Sequence, residues 1–128
     1  MTNKPTQVHA FNHDDALGHH DAVALAGQLQ RGETSATALV QAAFQRLELV
    51  NPSLHATACL QEETALAQAR YYDELGNFRA FQGIPGFLKD NLDLQGLPTR
   101  HGSAAMPDTP KKHTSAVAQQ IIDTGVVL

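Results

Sequence analysis

A chain of 128 residues of which 42% are hydrophobic suffices for about one modest domain with a buried core. With 9 Lys and Arg against 13 Asp and Glu, a formal charge of −4 and no window of clustered basic residues, neither a nucleic-acid partner nor an anionic membrane surface is expected. A single cysteine excludes an internal disulfide and a CxxC metal knuckle, and no stretch approaches the roughly 20 apolar residues of a membrane span. Met1-Thr2-Asn3-Lys4-Pro5-Thr6 is followed by polar residues and His rather than by a leader-like apolar run, so a cytoplasmic protein is expected.

In chain order, residues 1–20 carry His9, His13, His19 and His20 among Asn, Asp and Gly, lack apolar periodicity, and read as a flexible arm. Val23, Leu25, Ala26 and Leu29 then recur at helical spacing, and Arg31-Gly32 supplies a basic last turn and a left-handed cap, which predicts a helix over about 21–31. Thr34 or Ser35 can cap a second helix carrying Leu39, Ala42, Ala43, Leu47 and Val50, stopped by Asn51-Pro52. The two helices read as a hairpin. His55-Ala56-Thr57-Ala58-Cys59-Leu60 has the small and apolar look of a strand covered on both faces, with Cys59 in the core.

The pattern from Glu62 to Leu75 predicts a third helix, ended by Gly76-Asn77, and Ile84–Leu88 is an apolar run that ends abruptly at Lys89 and Asp90. Strand, helix and strand make a βαβ unit with a right-handed crossover. Residues 91–112 are rich in Gly, Pro, Thr and Ser and long for a connection, which marks a functional loop or hidden structure. Thr114 or Ser115 caps a last helix with Val117, Ala118, Ile121 and Ile122 as its buried stripe, and Gly125 closes it. Val126-Val127-Leu128 reads as the start of a further parallel strand, so the expectation is the front part of a larger α/β protein.

Lys89 is the first candidate for chemistry. Ligands of open α/β sheets bind beyond the carboxyl ends of the strands, where Lys89 closes its apolar run, and a desolvated lysine there can act as a base. The alternative is a surface lysine, or a partner for Asp90 or Asp93. The loop Gly96-Leu97-Pro98-Thr99-Arg100-His101-Gly102-Ser103 suits a wall of a site or an ordinary turn. His13-Asp14-Asp15 and His19-His20-Asp21 offer metal-binding types without the i, i+4 spacing on a helix that a ligand set needs, so no metal site is expected. Ser103 lies in no nucleophile elbow and no Ser-x-x-Lys motif, and reads as structural.

The run Gly83-Ile84-Pro85-Gly86-Phe87-Leu88-Lys89-Asp90-Asn91-Leu92-Asp93-Leu94-Gln95-Gly96-Leu97-Pro98-Thr99-Arg100-His101-Gly102-Ser103 resembles the segment of amidase-signature enzymes that carries their catalytic lysine. The likeness spans about 16–128: Arg31-Gly32-Glu33-Thr34-Ser35 is similar to the turn of the family's opening helical hairpin, and Thr114 to Leu128 resembles the helix and strand preceding its Gly-Lys-Thr/Ser stretch. Gly86 departs from the family's bulkier residue.

The resemblance implies an α/β fold, the N-terminal part of the amidase-signature fold: a helical hairpin followed by βαβ units of a mixed sheet covered by helices. Residues 21–128 would be an incomplete domain of that kind. It implies hydrolysis of a small-molecule carboxamide by a Ser, cis-Ser, Lys triad with Lys89 as its lysine, and no cofactor or metal. The two serines and the oxyanion-hole glycines lie further downstream in the family than Leu128, so these 128 residues alone should not hydrolyse amides. The full-length enzyme could form a homodimer. Within the family the alternative is the A subunit of a tRNA-dependent amidotransferase, a glutaminase, whose Thr-Thr-Cys-type sequence is not matched in the stretch Gly96-Leu97-Pro98-Thr99-Arg100-His101-Gly102-Ser103. Outside enzymes, the alternative is a non-catalytic truncated product or binding module.

Overall fold

The computed structural model describes residues 14–128, so His9, His13 and the first part of the expected arm lie outside the described residues. Four helices are present among them: α1 (Ala22–Gln30), α2 (Ala36–Leu54), α3 (Glu62–Leu75) and α4 (Ala116–Asp123). Three begin on a side-chain cap that fills an otherwise unpaired helical N–H. Asp21 accepts from the Ala24 N–H, Ser35 from Ala38 and Ser115 from Ala118. Ser35, rather than Thr34, is therefore the cap of α2. Helix α3 has no side-chain cap bond at Gln61; Glu62 and Glu63 in its first turn complement the helix dipole instead.

The core is built where α1, α2 and α3 meet. Leu25 and Leu29 of α1, Ala36, Leu39 and Val40 of α2, and Ala65 and Ala69 of α3 are buried together with Ile84 and Val127. Ala65 and Ala69 stand four apart on one face, and their small side chains let α3 lie close against α2. A second bond type locks that pair: the Asp73 carboxylate of α3 accepts the N–H groups of Ala36 (2.7 Å) and Thr37 (3.0 Å), placing negative charge at the N-terminus of α2.

Part of the segment expected to be a flexible arm is fastened down. The Asp15 carboxylate accepts two bonds from the Arg46 guanidinium at 2.6 Å and also takes the N–H groups of Leu17 and Gly18. Arg46 in addition donates to the Gly18 carbonyl, and Ala16 and Leu17 pack against the core. Residues 14–20 are thus a turn clipped to α2.

Two further expectations are corrected. Helix α2 runs through Pro52 to Leu54 and ends at His55, whose left-handed backbone (φ 48°) directs its N–H to the Asn51 carbonyl at 2.8 Å. Proline costs a helix only its own N–H bond and a local clash, and one turn from the end Asn51 makes up for it by accepting from Ala56 and Thr57. That same side chain takes backbone donors that a strand at 55–60 would need. Residues 55–60 pair with no other segment among those described, all but Thr57 are exposed, and Cys59 is on the surface rather than in the core.

The βαβ unit through α3 is accordingly not formed. What is present is one parallel bridge between Pro85 and Val127, supported by Gly83 N–H to Gly125 O (3.1 Å), Val127 N–H to Ile84 O (2.8 Å) and Gly86 N–H to Val127 O (2.8 Å). Of the expected neighbours 84–89 and 126–128, residues 83–86 run beside 125–127 in the parallel sense, with α4 leading into the latter, and 87–89 pair with no segment among the described residues. On α4 only Ala118 is buried. Val117 is 53% exposed, and Ile121 and Ile122 are half-buried.

Candidate functional site

The segment that ends at Lys89 is fixed from its N-terminal side by close backbone approach. Gly83 has φ of 87°, and a Cβ there would stand 2.8 Å from the Ala36 Cβ, so only glycine fits between this turn and the start of α2. A Cβ at Gly86 would lie 2.6 Å from the Val126 Cγ1. The absence of a side chain at Gly86 therefore lets the chain run tight against 125–127.

Lys89 itself is exposed, and among the described residues no carboxylate stands within ion-pair distance of its amine. The alternatives of an ion pair with Asp90 or Asp93 are not realised. Those two carboxylates are engaged elsewhere. Asp90 accepts from the Arg100 N–H (2.9 Å) and the Gly102 N–H (3.3 Å), and its carbonyl accepts from His101 (3.0 Å). The Arg100 N–H above all, with help from that of Gly102 and the nearby His101 and Arg100 charges, holds the Asp90 carboxyl below the usual carboxylate range.

Asp93 is held low chiefly by the Thr99 hydroxyl and then by Lys111, whose amine is 3.3 Å away. Thr99 is buried, the one polar residue among the described residues to be so. The long loop 91–112 is therefore organised structure. Gln95 bridges Lys111 in parallel, Gly96 N–H bonds Lys111 O, Lys111 N–H bonds Leu97 O, and Ser115 N–H bonds Asp93 O. Arg100 also pairs with Asp108. These side-chain to backbone bonds escape sequence reading, because an Asp in a Gly-rich loop looks the same whether or not it binds N–H groups ten residues away.

The remaining candidates separate from Lys89 by their bonding. Ser103 is exposed and closes a turn, its Oγ accepting from the Ala105 N–H and its own N–H bonding the Arg100 carbonyl. His19 and His20 sit beside the 14–18 turn, and among the described residues no three His, Cys, Asp or Glu gather as a metal site. Two open concavities, of about 350 Å³ beside Leu75, Asn77, Arg79 and Gln82 and about 290 Å³ beside Phe44, Glu48, His55 and Leu60, lie outside the Lys89 segment. No helix among the described residues is long and apolar enough to cross a membrane.

Comparison with known proteins bears directly on this segment. The family model described as Amidase matches residues 38–128, a stretch that includes Lys89, the 91–112 loop and α4. The chain belongs to the Amidase family. It is 38% identical over 122 residues to the protein named "Putative amidase AmiC" of Mycobacterium tuberculosis, covering 95% of this chain and 25% of that protein. It is 34% identical over 108 residues to the A subunit of the glutamyl-tRNA(Gln) amidotransferase of Nostoc punctiforme, covering 79% of this chain and 22% of that relative.

Among solved structures, PAM12A aligns with a TM-score of 0.76 at 30% identity, over 88% of this chain and 24% of that one. A chain of a vestigial protein complex, whose structure concerns the evolutionary origins of an s-triazine catabolic enzyme, aligns with a TM-score of 0.77 at 24% identity, over 85% and 25%. The latter likeness is one of fold. The chain spans about a quarter of the length of the curated relatives it matches.

Proposed function

We propose that residues 21–128 are the N-terminal portion of an amidase domain that hydrolyses a small carboxamide to a carboxylate and ammonia or an amine, with Lys89 as the lysine of a Ser, cis-Ser, Lys triad. The observation that carries the proposal is the placement of Lys89: an exposed amine free of ion-pairing among the described residues, three residues beyond the backbone bond of Gly86 to Val127 and followed by a loop tied by Asp90 and Asp93. In the proposed reaction the Lys89 amine takes the proton relayed from the attacking serine and returns it to the leaving nitrogen, the work of a general base and then acid. Both serines would come from the sequence that follows Leu128 in the family, so these 128 residues contribute the base and part of the frame. The proposed enzyme is cytoplasmic and works without metal or cofactor.

The test is Lys89→Ala in the complete enzyme. Turnover of carboxamides should fall by at least about 1,000-fold with the melting temperature unchanged, because members of such a triad act as a unit. Lys89→Arg should be nearly as damaging, since a guanidinium does not release its proton. An alanine variant that keeps more than about a tenth of the wild-type kcat would overturn the assignment. Glutaminase activity that requires partner chains would favour the second reading, the A subunit of a tRNA-dependent amidotransferase, which the 34% identical relative supports.

A further inference from the structure

Lys89 lies between two fixed points of backbone. On one side Gly86 is bonded to Val127, and only Phe87 and Leu88 intervene, Phe87 being 76% exposed and so contributing little restraint. On the other side the constraints are dense. The Lys89 carbonyl accepts the N–H groups of Asn91 (2.7 Å) and Leu92 (3.1 Å), and the next residue, Asp90, is tied three times to the turn at 100–102. In that turn His101 and Gly102 both take left-handed backbone (φ 52° and 70°), a conformation that a non-glycine residue such as His101 holds only when something outside the turn rewards it. The Asp90 carboxylate and carbonyl, meeting the N–H groups of Arg100, His101 and Gly102, supply that reward.

We propose that Asp90 is a positioning residue for Lys89: by clamping the 100–102 turn it fixes the backbone from which the lysine amine reaches the reacting amide. The proposal rests on the reading of Lys89 as the base. A lysine amine hangs on a four-carbon stem, so its reach is set by where the Cα is held, and a displacement of about 1 Å in a reacting group can cost about 100-fold in rate. A charge-bearing acceptor is needed at this point because two N–H groups converge on it. Asparagine would keep one acceptor oxygen for Arg100 and turn a donor toward the Gly102 N–H. Alanine would leave both N–H groups to water.

The experiment is a double-mutant cycle in the complete enzyme, reading kcat and KM for a carboxamide together with the melting temperature. Asp90→Ala should lower kcat about 100-fold with KM within about threefold of wild type, and Asp90→Asn should fall between the two. In a Lys89→Ala background, Asp90→Ala should lower the residual rate by less than about threefold, because a residue that acts only through Lys89 has nothing left to position. A purely structural Asp90 would move the melting temperature while leaving kcat of the folded fraction near wild type, and that result overturns the proposal. So does an equal loss in both backgrounds. If Asp90→Ala does not fold, Asp90→Asn carries the same cycle. A Lys89→Ala enzyme that keeps more than about a tenth of the wild-type kcat marks failure of the base assignment itself, whatever Asp90 does, and takes the proposal with it.

Discussion

Residues 14–76 and residues 77–128 are held in place by different forces. In the first stretch, seven of the nine residues of the core cluster come from three helices, and the polar bonds that matter, Asp15 to Arg46 and Asp73 to the start of α2, lie beside that apolar contact. In the second, the core cluster receives Ile84 and Val127, with Phe78 packed against it, and shape comes from carboxylates and carbonyls reaching N–H groups across the 91–112 loop. Burial is non-directional and sets stability; hydrogen-bonded pins set where individual backbone atoms stand. It follows that the proposed base belongs to the region fixed by pins, where position counts for more than packing density.

The comparison is broken most severely by removing a core side chain. Leu39 is wholly buried, and Leu39→Ala should destabilise the complete enzyme by about 3 kcal/mol in chemical denaturation, by lost transfer energy and the cavity left behind. Val117→Ala, on the half-bare stripe of α4, should cost no more than about 0.5 kcal/mol. Equal costs would show that the second region is as tightly packed as the first.

A smaller effect is expected at the Asp15 and Arg46 pair, whose side chains are only 9% and 17% exposed. Arg46→Ala leaves a carboxylate largely shielded from water and should cost about 2 kcal/mol near neutral pH. The Arg46 guanidinium, with the N–H groups of Gly18 and Leu17, holds the Asp15 carboxyl below its ordinary value. The stabilisation is therefore complete above the unfolded-state pKa of about 3.9 and is lost as pH falls through the lower folded-state value. Denaturation of wild type and variant between pH 7 and pH 3 should show the difference shrinking only at the acid end. Smaller again is Asp73→Ala, which removes the acceptor for two N–H groups at the start of α2 and should cost about 1 kcal/mol in a thermal melt.

What depends on local pattern is legible in the sequence. The bounds of α3 at Glu62 and Leu75, its glycine terminator and a hydroxyl cap at 34–35 and at 114–115 follow from side-chain periodicity and from hydroxyls placed to reach their own helix; the structure selects Ser35 and Ser115. Lys89 is legible as a charged stop after an apolar run. What the sequence hides depends on partners far away in the chain: Asp73 serving α2, Arg46 reaching Asp15, Asp90 reaching 100–102. Residues 55–60 mislead for the converse reason, because a run of small apolar residues carries strand character only when another strand stands beside it, and Asn51 occupies the donors at its start. The stripe of α4 is apolar as its periodicity indicates; its exposure depends on what packs against it.

The contact between residues 83–86 and 125–127 also bears on the order in which this part of the protein can assemble. Helices α1, α2 and α3 can associate as soon as Leu75 has been synthesised, since every residue they bring to their shared core precedes it. Ile84 and Val127 cannot meet until the whole intervening chain has emerged, and closing a loop of that length costs about 3 kcal/mol of chain entropy by its logarithmic scaling. The organised 91–112 loop reduces that cost by shortening the stretch left free to wander, so Asp90 and Asp93 prepare the encounter that brings the last side of the core together.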